Sequence, residues 1–335
     1  MCGVDHHPSL LKVGMSRRTA IVGAVATGAG ALAATLGSTP ALAQVGRDPI
    51  LDGVIDVHVH TDPDVDARSI DDTQVAAKYA EVGARAILLK NHYVATSDRA
   101  YLARASVPGI EVFGGITLNK QVGGLNAAAI RSMAEMKGRY GKVVWFPTRD
   151  AQQQLDRFPR NDTPVSVVDE GGELIPEARA CLEVIAGENL ALFTGHLSAA
   201  EALTLLREAQ AMGVRKMLIT HAIADPARFT IEQLRAAVAL GAMIEHVYLG
   251  TLAGPTALSP GQRVFRNVAI AEYVAAINAV GASNCVLSSD LGQAENPIHP
   301  MGLKVFITQL TAAGITREDV DLMVRRNPAQ LLDLT

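Results

Sequence analysis

The feature that most constrains this chain is an alternation. From about residue 54 onward, short runs of Val, Ile, Leu and Ala are separated by stretches whose apolar residues recur at helical spacing. Strand-like runs fall at Val54 to His60, Ala86 to Lys90, Ile110 to Leu118, Lys142 to Phe146, Leu190 to His196, Lys216 to His221, Met243 to Val247 and Cys285 to Ser289. Helical patterns lie between them, at Thr73 to Val82, Ser97 to Ala105, Asn126 to Tyr140, Glu177 to Ile185, Ala199 to Met212, Ile231 to Leu240 and Val268 to Val280. Two more, Met301 to Ala313 and Arg317 to Val324, follow the last strand. Continuous apolar strands belong to parallel sheets buried on both faces. An α/β protein with eight such units over ~280 residues is predicted to close into a (β/α)8 TIM barrel, whose usual length is about 250 residues. An open doubly wound sheet is the competitor. It would want a Gly-x-Gly-x-x-Gly turn after the first strand, and none is there.

One segment breaks the alternation. Between Thr148 and Pro176, two short apolar runs, Val165 to Val168 and Glu173 to Ile175, flank Asp169-Glu170-Gly171-Gly172, which reads as a hairpin-like insertion after strand four. A second long loop, Gly250 to Gln262, is rich in Gly and Pro. Both are expected to be lids or contacts between copies in a homo-oligomer.

The first 43 residues read differently. Ser16-Arg17-Arg18 precedes an uncharged stretch rich in Ala and Gly that ends in Ala41-Leu42-Ala43, the small residues of a signal-peptidase site. The paired arginines resemble the twin-arginine export type, although Ala20 stands where a bulky apolar residue is usual. A membrane anchor is the alternative; its Gly and Thr content and the Ser38-Thr39-Pro40 turn make it a poor one. The expectation is a signal peptide over 1–43, a single barrel domain over 44–335, and a mature protein in the periplasm or outside the cell with no stable membrane association. A net charge of −4 and the lack of a basic cluster argue against nucleic acid as a partner and leave a small-molecule substrate. Cys2, Cys181 and Cys285 show neither metal spacing nor a disulfide framework.

Candidate chemistry collects where barrel strands end. In Asp56-Val57-His58-Val59-His60, an extended strand turns His58 and His60 to one face and Val57 and Val59 to the other. Taken alone, a His-x-His pair binds metal or simply ends a strand. Lys90 and His92 follow strand two, His196 ends strand five, His221 ends strand six, and Asp290 follows strand eight. Active sites of such barrels lie at this C-terminal face. Imidazole and carboxylate ligands suit a divalent ion, zinc foremost, at one or two ions per chain. Asn119 and Arg149, just past strands three and four, could orient an anionic substrate, and His92 could hold substrate. Glu245 and His246 are adjacent and face opposite ways, so at most one of them reaches the site; His246 is taken as that residue, in contact with substrate.

The ordered set of Asp56-Val57-His58-Val59-His60, His196, His221 and Ser288-Ser289-Asp290, with the ending Asn327-Pro328-Ala329-Gln330-Leu331-Leu332-Asp333-Leu334, resembles the amidohydrolase superfamily of metal-dependent barrel hydrolases. The resemblance spans essentially the whole mature chain. It implies that His58 and His60 bind the more buried metal, and that Asp290 binds metal and moves protons. His196 and His221 would hold a second metal, or one metal and the substrate. Many binuclear members carry a carboxylated lysine or a glutamate at the end of strand four; here that strand ends Val144-Trp145-Phe146-Pro147-Thr148. Lys90 is the available substitute, either carbamylated as a bridge between metals or unmodified and contacting substrate or Asp290. The implied reaction is hydrolysis of an amide, a lactone or another ester by metal-activated water, with Asp290 as proton shuttle. A mononuclear zinc decarboxylase of the same superfamily, or a non-catalytic exported binding protein, are the other readings.

Overall fold

The computed structural model describes residues 47–334. The expected export signal, with Cys2, His6 and His7, lies outside the described residues. Eight strands form one parallel sheet in chain order: β1 (Ile55–His60), β2 (Ala86–Lys90), β3 (Glu111–Thr117), β4 (Gly141–Trp145), β5 (Ala191–Phe193), β6 (Lys216–Ile219), β7 (Ala242–Val247) and β8 (Cys285–Ser288). The sheet closes where β8 runs out beside β1. Asp290 N–H donates to the His58 carbonyl at 2.9 Å, and His60 N–H donates to the Leu291 carbonyl at 3.0 Å. The seam of the barrel therefore runs through the candidate ligands.

The helices are α1 (Asp72–Glu81), α2 (Ser97–Ser106), α3 (Ala127–Glu135), α4 (Gln152–Arg157), α5 (Pro176–Gly187), α6 (Ala199–Ala211), α7 (Ile231–Ala239), α8 (Leu249–Leu252), α9 (Ile270–Val280), α10 (His299–Ala312), α11 (Arg317–Asp321) and α12 (Asn327–Leu331). Several begin on reciprocal side-chain caps: Asp71 with Gln74 before α1, Ser198 with Glu201 before α6, and Thr230 with Gln233 before α7. None of the described helices is long and apolar enough to cross a membrane.

Alternate strand residues separate two cores. Outward-facing residues such as Ile87, Leu89, Val144, Leu192 and Ile219 pack under the helices. Inward-facing Ile55, Val57, Ala86, Leu88, Phe113, Val143, Trp145, Ala191, Phe193, Leu218 and Val286 fill the barrel, and Ala329, Leu331 and Leu332 of the α12 segment join that inner cluster. Two ladders shift register: β4 has one residue more than β3 between Gly141 and Val143, and the shift in β1 is the one that bears on the site. Between Asp56 and Val59, β1 has one residue more than the matching part of β2, which is a β-bulge. Ile55 and Val57 both face the barrel interior, so strict alternation from them would have turned His58 outward, and Val57 does not take the face opposite His58 that the sequence suggested. The bulge then turns His58 inward, Val59 outward and His60 inward.

The remaining departures from expectation concern where elements stop. β5 ends at Phe193 and β6 at Ile219, short of His196 and His221. The backbone turns left-handed at Gly195 (φ 63°) and His221 (φ 30°), and left-handed residues leave the ladder. α3 stops at Glu135, and the turn that follows uses positive φ at Gly138 and Arg139. The insertion after β4 holds a single antiparallel bridge, Val168 to Leu174, around an Asp169 turn, instead of a full hairpin. It also contains α4, which was not foreseen. Beyond α11, Leu322–Arg326 widens into a π-helical turn.

Candidate metal centre

His58 lies at the floor of the site, fully buried. Its Nε2 is 2.9 Å from Asp290 Oδ1, and His60 Nε2 is 3.2 Å from the same oxygen. One ligand atom from each of these residues falls within a 4.8 Å cluster. Two ligands at ~2.1 Å on a tetrahedral ion lie roughly 3.4 Å apart, so the spacing fits a small divalent cation. His58 Nδ1 is 3.0 Å from Glu245 Oε1, which fixes the proton on Nδ1 and turns the Nε2 lone pair toward Asp290. A carboxylate behind a histidine is the usual support of a metal ligand. Glu245 is itself held by Ser288 Oγ at 2.7 Å, and its other oxygen accepts the His221 N–H at 2.8 Å.

The electrostatics favour a cation. Burial opposes protonation of His58, yet the negative charges of Asp290 and Glu245 outweigh it and raise its pKa. Burial pushes the Asp290 carboxyl up, but the charge and hydrogen bonds of His58 and His60 hold it well below the ordinary range. Asp290 is thus an anion at neutral pH. His60, His92 and His196 are kept neutral by burial and by neighbouring positive charges. His221 is drawn down to about 4, mainly by burial. Neutral imidazoles are the ligand form. His60 Nδ1 and His221 Nδ1 are buried without a hydrogen-bond partner, which leaves these nitrogens open to a ligand. The donor set fits the group that the sequence implies.

His60, Lys90, His92, Arg149, His196, His221 and Asp290 line one pocket of about 510 Å³ at the C-terminal mouth of the barrel. Lys90 Nζ is 2.9 Å from His58 Nε2, above the Trp145 ring that fills the end of β4. Burial lowers the Lys90 amine to about 8. His92 Nδ1 is 2.8 Å from Thr148 Oγ1, and His196 Nδ1 is 2.8 Å from Gln154 Oε1. Those bonds leave the Nε2 edges of both rings for a ligand. Gly195 makes the approach of His196 feasible: a Cβ there would strike the Phe146 and Pro147 carbonyl oxygens.

Two residues proposed from sequence lie elsewhere. Asn119 does not face substrate. Its amide donates to the His92 carbonyl (2.9 Å) and Thr148 Oγ1 (2.8 Å), and its Oδ1 accepts the Thr148 and Asp150 N–H groups (2.9 and 3.2 Å). All four of its hydrogen-bonding positions are used in clamping the loops after β2, β3 and β4. His246 points outward into the helix layer, where its ring meets Tyr273 of α9 edge-on at 5.5 Å. The period of two along β7 sends Met243, Glu245 and Val247 inward and Ile244 and His246 outward, so Glu245 is the partner of the site. Asp56 serves the seam: Oδ1 accepts the His58 and Ser289 N–H groups at 3.1 Å each, and Tyr79 donates to Oδ2. Gln154, on the unforeseen α4, had no signal beyond a polar run in a loop.

Residues 53–245 match the model of a family of unknown function, DUF6282. No curated protein sequence matches the chain. Among solved structures, the chain is similar to the phosphotriesterase homology protein of Escherichia coli, complexed with phosphate in its active site (TM-score 0.55, 17% identity, 84% of this chain and 99% of that one). It is also similar to an organophosphorus hydrolase from Deinococcus radiodurans (TM-score 0.57, 16% identity, 84% and 92%). A dihydroorotase gives a TM-score of 0.52 at 14% identity over 85% of this chain and 71% of the other. At such identities the likeness establishes the (β/α)8 fold, and it agrees with the chain-order closure of the strands.

Proposed function

The chain belongs to the family of unknown function DUF6282, and we propose that it is a metal-dependent hydrolase of the amidohydrolase type. One observation carries the reading: Nε2 of His58, Nε2 of His60 and Oδ1 of Asp290 converge within 4.8 Å at the mouth of a barrel, with Glu245 behind His58. The structural relatives named above, one of them a hydrolase by name, support it. These three residues would hold one divalent ion, zinc by the chemistry of the donors. His196 and His221 would complete a second site or contact the substrate. When bound, such an ion lowers the pKa of a water and polarises a carbonyl.

The chain's own residues supply the rest. Asp290, ionised, takes the proton of the attacking water and passes it to the leaving nitrogen or oxygen. Neutral His92, whose Nδ1 is met by the Thr148 hydroxyl, donates from its free Nε2 edge to the oxyanion that develops on the carbonyl, while His196, whose Nδ1–H donates to Gln154 Oε1, presents an Nε2 lone pair suited to a second ion. The substrates are amides, lactones or other esters small enough for the pocket. Lys90 enters this proposal as a carbamate. Its buried amine is aimed at a ligand nitrogen, and addition of CO2 to the neutral amine with loss of one proton would replace a cation there by an anion.

Metal analysis of the purified protein, followed by a hydrolysis screen over the three bond types, tests the whole. At least one bound ion and turnover that chelation abolishes are expected; protein that binds no metal overturns the reading. Asp290→Asn should reduce turnover on the order of 10²–10⁴-fold. Labelled bicarbonate should give a carbamate carbon signal that disappears in Lys90→Ala. Export under the 1–43 signal belongs to the same proposal, and N-terminal sequencing of the secreted form should begin at Gln44.

A further inference from the structure

The loop joining β1 to α1 forms part of the pocket wall. Backbone bridges pin it at both ends, Asp62 to Asp71 and Arg68 to Gln293. Between them, Val65, Asp66 and Ala67 project at the mouth. Asp66 is held through one oxygen: Oδ2 lies 2.7 Å from Arg149 Nη2, 3.5 Å from the Tyr93 hydroxyl and 3.8 Å from Arg68 Nη2. The three donors come from three different loops, after β4, β2 and β1.

Arg68 does not need Asp66 as a counterion. It is 4% exposed, and its Nε donates to buried Asp64 Oδ2 at 2.7 Å. Its Nη2 is equally near that oxygen but off the line of a hydrogen bond, so this buried nitrogen keeps a donor without a partner. An unfilled donor on a buried guanidinium is costly unless a ligand completes it. Arg149, about one-third exposed, has no partner other than Asp66 among the described residues. Both arginines line the same pocket as His60, His196 and Asp290.

We propose that Arg68, Arg149 and Tyr93 form a carboxylate subsite, that Asp66 fills it in the free protein, and that the substrate carries a carboxylate which displaces Asp66. The proposal rests on reading this pocket as the catalytic one. Guanidinium groups suit planar oxyanions, and Asp66 already presents a carboxylate of the required size. An ion pair as exposed as Asp66–Arg149 adds little to stability and exchanges readily. While Asp66 occupies the subsite, a competing carboxylate meets a reduced fraction of competent protein.

The probe is glutarate, with its neutral diamide as control, titrated calorimetrically into the full-length protein at low salt. Wild type, Asp66→Asn and Arg149→Gln are compared, with circular dichroism verifying the fold of each. Glutarate should bind and the diamide should not. Asp66→Asn should tighten glutarate on the order of tenfold and Arg149→Gln should weaken it by a similar factor. Weaker or unchanged binding in Asp66→Asn, or equal binding of the diamide, overturns the subsite. Titrations repeated after chelation separate this proposal from the one it rests on. Glutarate binding that vanishes with the metal and ignores Asp66 assigns the carboxylate to the ion and overturns the subsite. Asp66-dependent binding in a protein with no metal and no hydrolysis would retain the subsite and reject the hydrolase.

Discussion

Glu245 shapes His58 from behind the ligand plane. Its Oε1 holds the Nδ1 proton while Ser288 and the His221 N–H hold the carboxylate in turn. Glu245→Gln keeps the shape but loses the charge, and metal affinity should fall about 10- to 100-fold, measured by competition with a chromogenic chelator. Asn119 acts on stability instead. Asn119→Ala would leave the Thr148 and Asp150 N–H groups and the His92 carbonyl without buried partners, at a cost of about 2–4 kcal/mol in urea unfolding. At this scale the histidines and Asp290 were legible in the sequence, because each ends or follows a short apolar run. The roles of Asn119 and Glu245 were not. An asparagine after a strand looks the same whether its amide meets a ligand or three loops. The β7 run is buried on both faces, so hydrophobicity does not say which parity points inward.

At the scale of elements, β7 carries a pH dependence. His246 is buried beside Tyr273, and burial lowers its pKa to about 4, while Glu245 opposes the shift. The unfolded chain, with a histidine near 6.5, takes up the proton first. Its contribution to stability is therefore complete above about pH 6.5 and is lost as pH falls toward 4, by up to about 3 kcal/mol. His246→Phe should remove that share of the slope when urea midpoints are compared at about pH 7.5 and about pH 5. A slope identical to wild type would contradict the burial of this ring in its neutral form. The connection after β5 is equally exacting. Gly195 combines positive φ with close approach to the Phe146 and Pro147 carbonyls, so Gly195→Ala should destabilise by more than ~1 kcal/mol and move His196 away from the pocket. The bulge in β1 belongs here too. It lets Val57 and His58 share the barrel interior, so that one strand serves both the hydrophobic filling and the ligand cluster.

Across the whole molecule, the closure of the barrel and the ligand cluster are one feature. β8 joins β1 through Asp290 and Leu291 bonding to His58 and His60, so an ion bridging His58, His60 and Asp290 would also staple the seam. Chelation should lower the melting temperature on the order of 10 °C, the shift expected for a ligand present about a thousandfold above its dissociation constant. Readdition of zinc should restore it.

What the sequence determined by itself was the order of strands and helices, the barrel they imply, and the set of groups at strand ends. All of these follow from local periodicity and spacing, which neighbouring residues carry. What only the tertiary structure decided was direction and company: that Glu245 and not His246 turns inward to support His58, that Asn119 is a clamp, that Gln154 steadies His196, and that Arg68, Tyr93 and Arg149 meet on one oxygen of Asp66. Those facts depend on loops far apart in the chain reaching the same few ångströms. A bulge or a left-handed residue alters that arrangement without changing the hydrophobic pattern of the sequence.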